Sequence, residues 1–322
     1  MNYIVITSIN PVTEAIRKFS EINDWHVLVI GDLKSKQYEY PNTTFLNIEK
    51  QKETDFLSFQ TTPFNHYSRK NIGYLYAIKN KANLIYDTDD DTIPYENWST
   101  NNFTCDNYIK GKVFVNPFCF FTEEKCWPRG TPLSFINQEN KYEKNLEEVK
   151  IGVWQGVIND DSDFDAIYRL TNNKHIKFNN NPKIAIDKFS YSPFNSQSTL
   201  WNNLFNCLLY IPTTVDFRFT DILRSYITQR IMWEFDYRIG FHKPNTYQVR
   251  NEHDFFKDFL GEVSMYQNLP KIIDMLNNIN LKNRTIQECL TQVYNSLYEI
   301  QIVKIEELDN LDNWIKDYNS IK

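Results

Sequence analysis

The sequence predicts an α/β protein: an open sheet flanked by helices, followed by an all-helical C-terminal stretch. Three observations point there. Strand and helix patterns alternate over residues 3–48. The short apolar run Leu84-Ile85-Tyr86-Asp87 reads as a buried strand and leaves the sheet in Thr88-Asp89-Asp90-Asp91. From Glu252 on, apolar residues recur at helical spacing, as in Phe255/Phe256, Phe259/Leu260 and Val263.

Taken in order, residues 3–9 form the first strand, and Asn10-Pro11 reads as a helix start with Asn as cap. Ala15, Ile16, Phe19 and Ile22 then share one helix face. Residues 25–30 are a second strand ending in Gly31-Asp32, and residues 44–48 a third. Ligands of open α/β sheets sit beyond the carboxyl ends of the strands. That places Thr7, Ser8, Asp32 and residues 89–91 on one rim. Asp32 there is either an acceptor for a base or ribose, or a plain turn residue.

Residues 66–82 read as a helix capped by Ser68, with Arg69, Lys70 and Asn71 in its first turn. Free N–H groups and two cations at a helix start suit a phosphate; the plainer alternative is a solvated basic turn. Gly73, inside that helix, suggests close approach of a neighbouring strand. Residues 108–115 and 208–212 read as further strands, and 139–150 as an exposed polar stretch. Asp161, Asp163 and Asp165 alternate ahead of an apolar helix; capping explains one of them. Asp221 opens a helix with Arg224 one turn on, which fits a base beside a diphosphate clamp or an i,i+3 ion pair. Arg129, in a turn rich in Pro and Gly, is a second anion contact or a solvated loop residue.

Three neighbouring carboxylates at Asp89–Asp91 repel one another, and hard oxygen donors at a strand end suit Mg²⁺ or Mn²⁺. The alternative is a solvated acidic turn closed by Pro94. The chain of 322 residues carries a net charge of −6, which argues against nucleic acid as a partner. Its five cysteines lack zinc-type spacing and are expected as free thiols. Met1 leads directly into a strand without a signal-like stretch, and no apolar run reaches the ~18–20 residues of a membrane span. These features place the chain in the cytoplasm, or peripherally at the inner face of a membrane.

Arg69-Lys70-Asn71-Ile72-Gly73-Tyr74-Leu75-Tyr76-Ala77-Ile78, followed by residues 85–91, resembles the core motif of STELLO-type glycosyltransferase-like proteins. Residues 163–171, Pro193-Phe194-Asn195-Ser196-Gln197 and residues 221–226 match further blocks in the same order. The resemblance covers about residues 1–250 and leaves out the helical tail. More distantly the chain is similar to the reversibly glycosylated polypeptides, which are UDP-arabinopyranose mutases. The resemblance implies a GT-A type fold, with residues 1–150 as the nucleotide-sugar half, 151–250 as the acceptor half and 251–322 as a helical extension. It makes Asp89 and Asp91 a DxD motif holding Mn²⁺ or Mg²⁺, with Asp90 beside them on a donor diphosphate.

The expectation is a metal-dependent transferase moving a sugar from a nucleotide sugar, UDP-linked, to a glycan or other hydroxyl acceptor in surface polysaccharide synthesis. Asp221 is the first candidate for the base and Asp163 the second; Arg69, Lys70 and Arg224 would neutralise the leaving group. A nucleotide-sugar mutase and a non-catalytic scaffold are the alternatives. The tail is expected to pack on the core or to mediate oligomerisation.

Overall fold

The computed structural model describes residues 1–139, 141–172, 174, 176–249 and 254–322; Glu252, the expected start of the tail, lies outside them. The first half is the alternation expected. It runs through β1 (Asn2–Thr7), α1 (Glu14–Ser20), β2 (Trp25–Ile30), β3 (Thr43–Leu46), α2 (Ile48–Lys52), α3 (Leu57–Thr61), α4 (Lys70–Lys79) and β4 (Ile85–Thr88). These strands pair in parallel in the order β3-β2-β1-β4. Ile4, Val5 and Ile6 of β1 and Val27–Ile30 of β2 are buried, the continuous apolar reading of strands covered on both faces.

Local starts differ from the sequence reading where a better cap exists. Helix α1 begins at Glu14 because Thr13 Oγ1 accepts from the Ile16 N–H; Asn10 is freed for the rim. Residues 67–69 form a 3₁₀ turn ahead of α4, and the cap is the His66 side chain, accepting from the Ser68 N–H, in place of Ser68 itself. Gly73 does lie against strands: a Cβ there would come within 2.2 Å of Ile30 Cδ1 and 3.1 Å of Val5 Cγ1.

The chain continues through β5 (Thr92–Pro94), β6 (Thr104–Cys105), β7 (Tyr108–Lys110), β8 (Glu143–Asn145), β9 (Val149–Gly156), β10 (Asn159–Asp160), α5 (Ala166–Thr171), β11 (Lys183–Ile186), β12 (Ser198–Trp201), α6 (Thr220–Glu234), β13 (Tyr237–His242) and β14 (Thr246–Gln248). Among the described residues, the main sheet has eleven strands, extended from β4 in the order β12-β9-β13-β11-β7-β8 with β6 on β9. Strand β12 is antiparallel to both β4 and β9, so the sheet is mixed. A small second sheet, β10-β14-β5, braces the acidic turn. The expected strand at 108–115 is shortened to β7. The run 208–212 is not a strand: it finishes a 3₁₀ segment, Asn203–Leu209, a known ambiguity of short apolar runs.

The tail is α7 (Phe255–Asn278), α8 (Ile286–Glu299) and α9 (Ile305–Ile321). It shares one hydrophobic cluster with the sheet, through Leu276, Val293, Leu297 and Trp314. Polar anchors fix it. Glu307 is fully buried and accepts from the Thr213 and Thr214 N–H groups, and Asp317 accepts from the Leu57 and Ser58 N–H groups at the start of α3. Of the two expected roles for the tail, the structure shows packing on the core. Among the described residues, no helix is long and apolar enough to cross a membrane.

Candidate active site

The parallel strands β1, β2 and β4 end on one rim, as anticipated. Ser8 Oγ donates to Asp90 Oδ2 at 2.5 Å, and Asn10 Nδ2 donates to the same oxygen at 3.0 Å. Asp32 Oδ1 accepts from the Leu33 N–H at 2.7 Å, and Oδ2 from the His66 N–H at 3.3 Å. Thr7, Ser8, Asp32, His66 and Asp90 line a cavity of about 290 Å³. A second cavity, of about 270 Å³, adjoins it over Asp89–Asp91 and is walled on its far side by Arg129, Asp163 and Asp221. Thr7, Tyr67, Asp90 and Phe217 line both.

The cations expected at a diphosphate turn elsewhere. Lys70 is fully buried; its Nζ pairs with Asp87 Oδ1 at 2.7 Å and Asp89 Oδ1 at 3.2 Å, and donates to the Thr88 carbonyl at 2.6 Å. Arg224 Nη2 meets Asp87 Oδ2 at 2.9 Å and Ser196 Oγ at 2.6 Å, beneath the rim. Arg224 thus neither opens onto either cavity nor pairs with Asp221. A buried carboxylate at Asp87 draws both cations inward, because an unpaired charge there would be very costly. Arg69 reaches the first cavity, but its guanidinium is spent on Gln51 Oε1 and the Thr62 carbonyl, and burial pulls its pKa down to about 10. Asn71 holds the backbone of Ile211 through both ends of its amide.

Asp163 and Asp221 do come together, bridged by a residue read as a loop arginine. Arg129 Nε donates to Asp163 Oδ1 at 2.9 Å, while Nη1 and Nη2 reach the two oxygens of Asp221 at 2.9 Å each. Asn195 Nδ2 adds a bond to Asp163 Oδ2 at 2.9 Å. Burial raises the Asp163 carboxyl, but the Arg129 charge and hydrogen bonds outweigh it and hold the group well below the usual carboxylate range. Asp165, by contrast, caps α5, and burial pushes it up to about 7.

Two more residues at the rim escaped the sequence reading. Tyr67 donates its hydroxyl to Asp89 Oδ1 at 2.7 Å, and Gln248 Nε2 donates to Asp91 Oδ2 at 2.9 Å. Tyr67 was signalled only by standing two residues before Arg69; Gln248 arrives through β14 pairing with β5, which no local pattern reveals. Burial pushes the Asp89 carboxyl up to about 7; Lys70 opposes the rise and the Asp91 charge adds to it.

A divalent cation fits this donor set. The oxygens are hard, and burial, with the Asp91 charge adding to it against Lys70, raises the Asp89 carboxyl to about 7, so an added cation would favour its ionised form. Among the described residues, no three His, Cys, Asp or Glu side chains converge into a protein-only cage. One or two carboxylates completed by phosphate oxygens is the usual arrangement for Mg²⁺.

A mixed sheet flanked by helices, with carboxylates crowded where its central strand leaves, defines a GT-A-like glycosyltransferase fold. Comparison with known proteins narrows the class. The family model for STELLO glycosyltransferases matches residues 218–322. "Probable glycosyltransferase STELLO1" of Arabidopsis thaliana is 24% identical over 340 residues, covering 98% of this chain and 44% of the relative. "Probable glycosyltransferase STELLO2" of the same plant is 26% identical over 299 residues, covering 85% and 39%. The resemblance to the STELLO-type family is borne out, and it reaches further than expected: the helical tail lies inside the matched region. The chain spans less than half the length of either relative.

Proposed function

We propose that the chain is a metal-dependent glycosyltransferase acting on a nucleotide-sugar donor, UDP-linked in the first instance, and a hydroxyl-bearing acceptor such as a glycan. The observation that carries this reading is that the cavity lined by Ser8, Asp32 and His66 shares Thr7, Tyr67, Asp90 and Phe217 with the one over Asp89–Asp91.

On the first side, Ser8, Asp32 and the 65–67 backbone offer donors and acceptors to a base and ribose. At the junction, Asp89 and Asp91 would hold Mn²⁺ or Mg²⁺, which when bound neutralises the charge of the departing diphosphate. Tyr67 and Lys70 both donate to Oδ1 of Asp89. Burial and the nearby Asp89 and Asp87 charges raise the Tyr67 pKa, so it stays a donor. On the far side, Asp221 accepts two bonds from Arg129 and one from the Ile222 N–H, and keeps lone pairs for an acceptor hydroxyl. Asp163 is more fully occupied and acts as a positioning carboxylate. Arg224 supports the rim from below and does not touch substrate in this reading.

The test is calorimetric titration with UDP-, GDP- and ADP-sugars, with and without Mn²⁺. A UDP-sugar should bind with Mn²⁺, and Asp91→Asn should abolish the metal-dependent part while the unfolding transition stays in place. Wild-type affinity of Asp91→Asn for the donor in Mn²⁺ would refute the metal role. A ring-isomerised UDP-sugar formed without any acceptor would replace transferase by mutase.

A further inference from the structure

The wall of the acceptor-side cavity continues into that of another. Residues 127–129 and 163–165 lie side by side as short antiparallel segments: Pro128 bridges Phe164, and the Arg129 N–H donates to the Asp163 carbonyl at 2.8 Å. The wall divides along its length: Arg129 and Asp163 line the groove, whereas Trp127, two residues earlier, donates its indole N–H to Asp165 Oδ2 at 2.7 Å and lines another cavity. Behind Trp127 lies a cavity of about 610 Å³ that plays no part in the chemistry described above.

Its lining is specific enough to choose among ligands. Phe114 and Phe135 stand as a tilted pair, ring centroids 5.3 Å apart, beside Trp127. Lysines 112, 125 and 141 are matched by glutamates 123, 124 and 139, so the lining carries no net charge. A phosphorylated or nucleotide ligand would find no excess cation there, and a cationic one no excess acid. Apolar ring surface with interspersed hydroxyl and amide groups, at a volume within the usual range for small-molecule sites, suits a neutral, hydroxyl-rich molecule.

We propose that this cavity is a binding site for a neutral oligosaccharide, holding part of an extended acceptor away from the groove, with the 127–131 segment as the wall shared by the two sites. This rests on the glycosyltransferase reading of the groove. Trp127 and Arg129 belong to one wall, each pinned to the 163–165 segment.

The test uses the whole chain. Binding of neutral trisaccharides of glucose, galactose and mannose is followed by saturation-transfer NMR and calorimetry, with UDP-sugar in Mn²⁺ measured alongside. At least one trisaccharide should bind. Phe135→Ala should weaken it tenfold or more, and Gln138→Trp, at an exposed position of the lining, should do the same. Neither variant should change nucleotide-sugar affinity, and with a long acceptor both should raise KM at constant kcat. Trisaccharide affinity unchanged in both variants overturns the proposal. So does the absence of trisaccharide binding in a protein that still binds nucleotide sugar. Loss of nucleotide-sugar binding in the wild type would instead remove the reading beneath it.

Discussion

Replacing Arg224 by Met separates a structural cation from a substrate clamp. The guanidinium makes four bonds, to Asp87 Oδ2 (2.9 Å), Ser196 Oγ (2.6 Å), the Leu209 carbonyl (3.1 Å) and the Tyr74 hydroxyl (3.3 Å), and it lies over the Trp201 ring. Both charged partners are out of solvent. Met fills much of the volume, so the loss is mainly electrostatic. Asp87 would keep Lys70 as its remaining ion-pair partner, at 2.7 Å. Removing one member of a buried pair costs about 3–5 kcal/mol. Arg224→Lys, which keeps a charge but not the fork, should cost less, about 1–3 kcal/mol. Urea unfolding followed by tryptophan fluorescence reads both, and calorimetry on the surviving folded protein reads donor affinity. The reasoning fails if Arg224→Met unfolds within about 1 kcal/mol of wild type yet loses tenfold or more in donor affinity. That outcome would return Arg224 to the diphosphate.

Two further outcomes follow from the same geometry. Asp317→Ala leaves the Leu57 and Ser58 N–H groups at the start of α3 without their acceptor, and should lower stability by about 1–2 kcal/mol in the same urea assay. His242 is buried with Nδ1 on the Lys243 carbonyl, and burial, reinforced by the Lys183 and Lys243 charges, lowers its pKa to about 4. A depressed pKa contributes stability that is complete above the unfolded value near 6.5 and disappears as pH falls through 4. His242→Asn, which keeps a donor for that carbonyl, should therefore flatten stability against pH between about 6.5 and 4, by up to about 3 kcal/mol. An unchanged acid limb would show that other groups govern it.

The parts of the fold legible in the sequence are those set by neighbours in the chain. Continuous apolar runs gave β1 and β2, and the rule for strand ends brought Thr7, Ser8, Asp32 and Asp90 around one cavity. What stayed hidden was decided by residues far apart. Asp87 looked like part of a strand, yet it meets Arg224 across 137 positions and Lys70 besides, and these pairings remove two expected phosphate cations from the groove. Arg129 looked solvated because no local pattern reveals that Asp163 and Asp221 converge on it. The tail's apolar faces were plain, but periodicity does not say what a face will meet.

The anchoring of α9 has a consequence for how the polypeptide matures. The carboxylate that caps α3 and the one that secures residues 213–214 are both supplied some hundred to two hundred and sixty positions downstream. Until α9 is in place, the start of α3 and residues 213–214 lack the acceptors for their N–H groups. Such long-range closure is slow to form and exposes sticky intermediates. A fragment ending before residue 305 would lack both carboxylates.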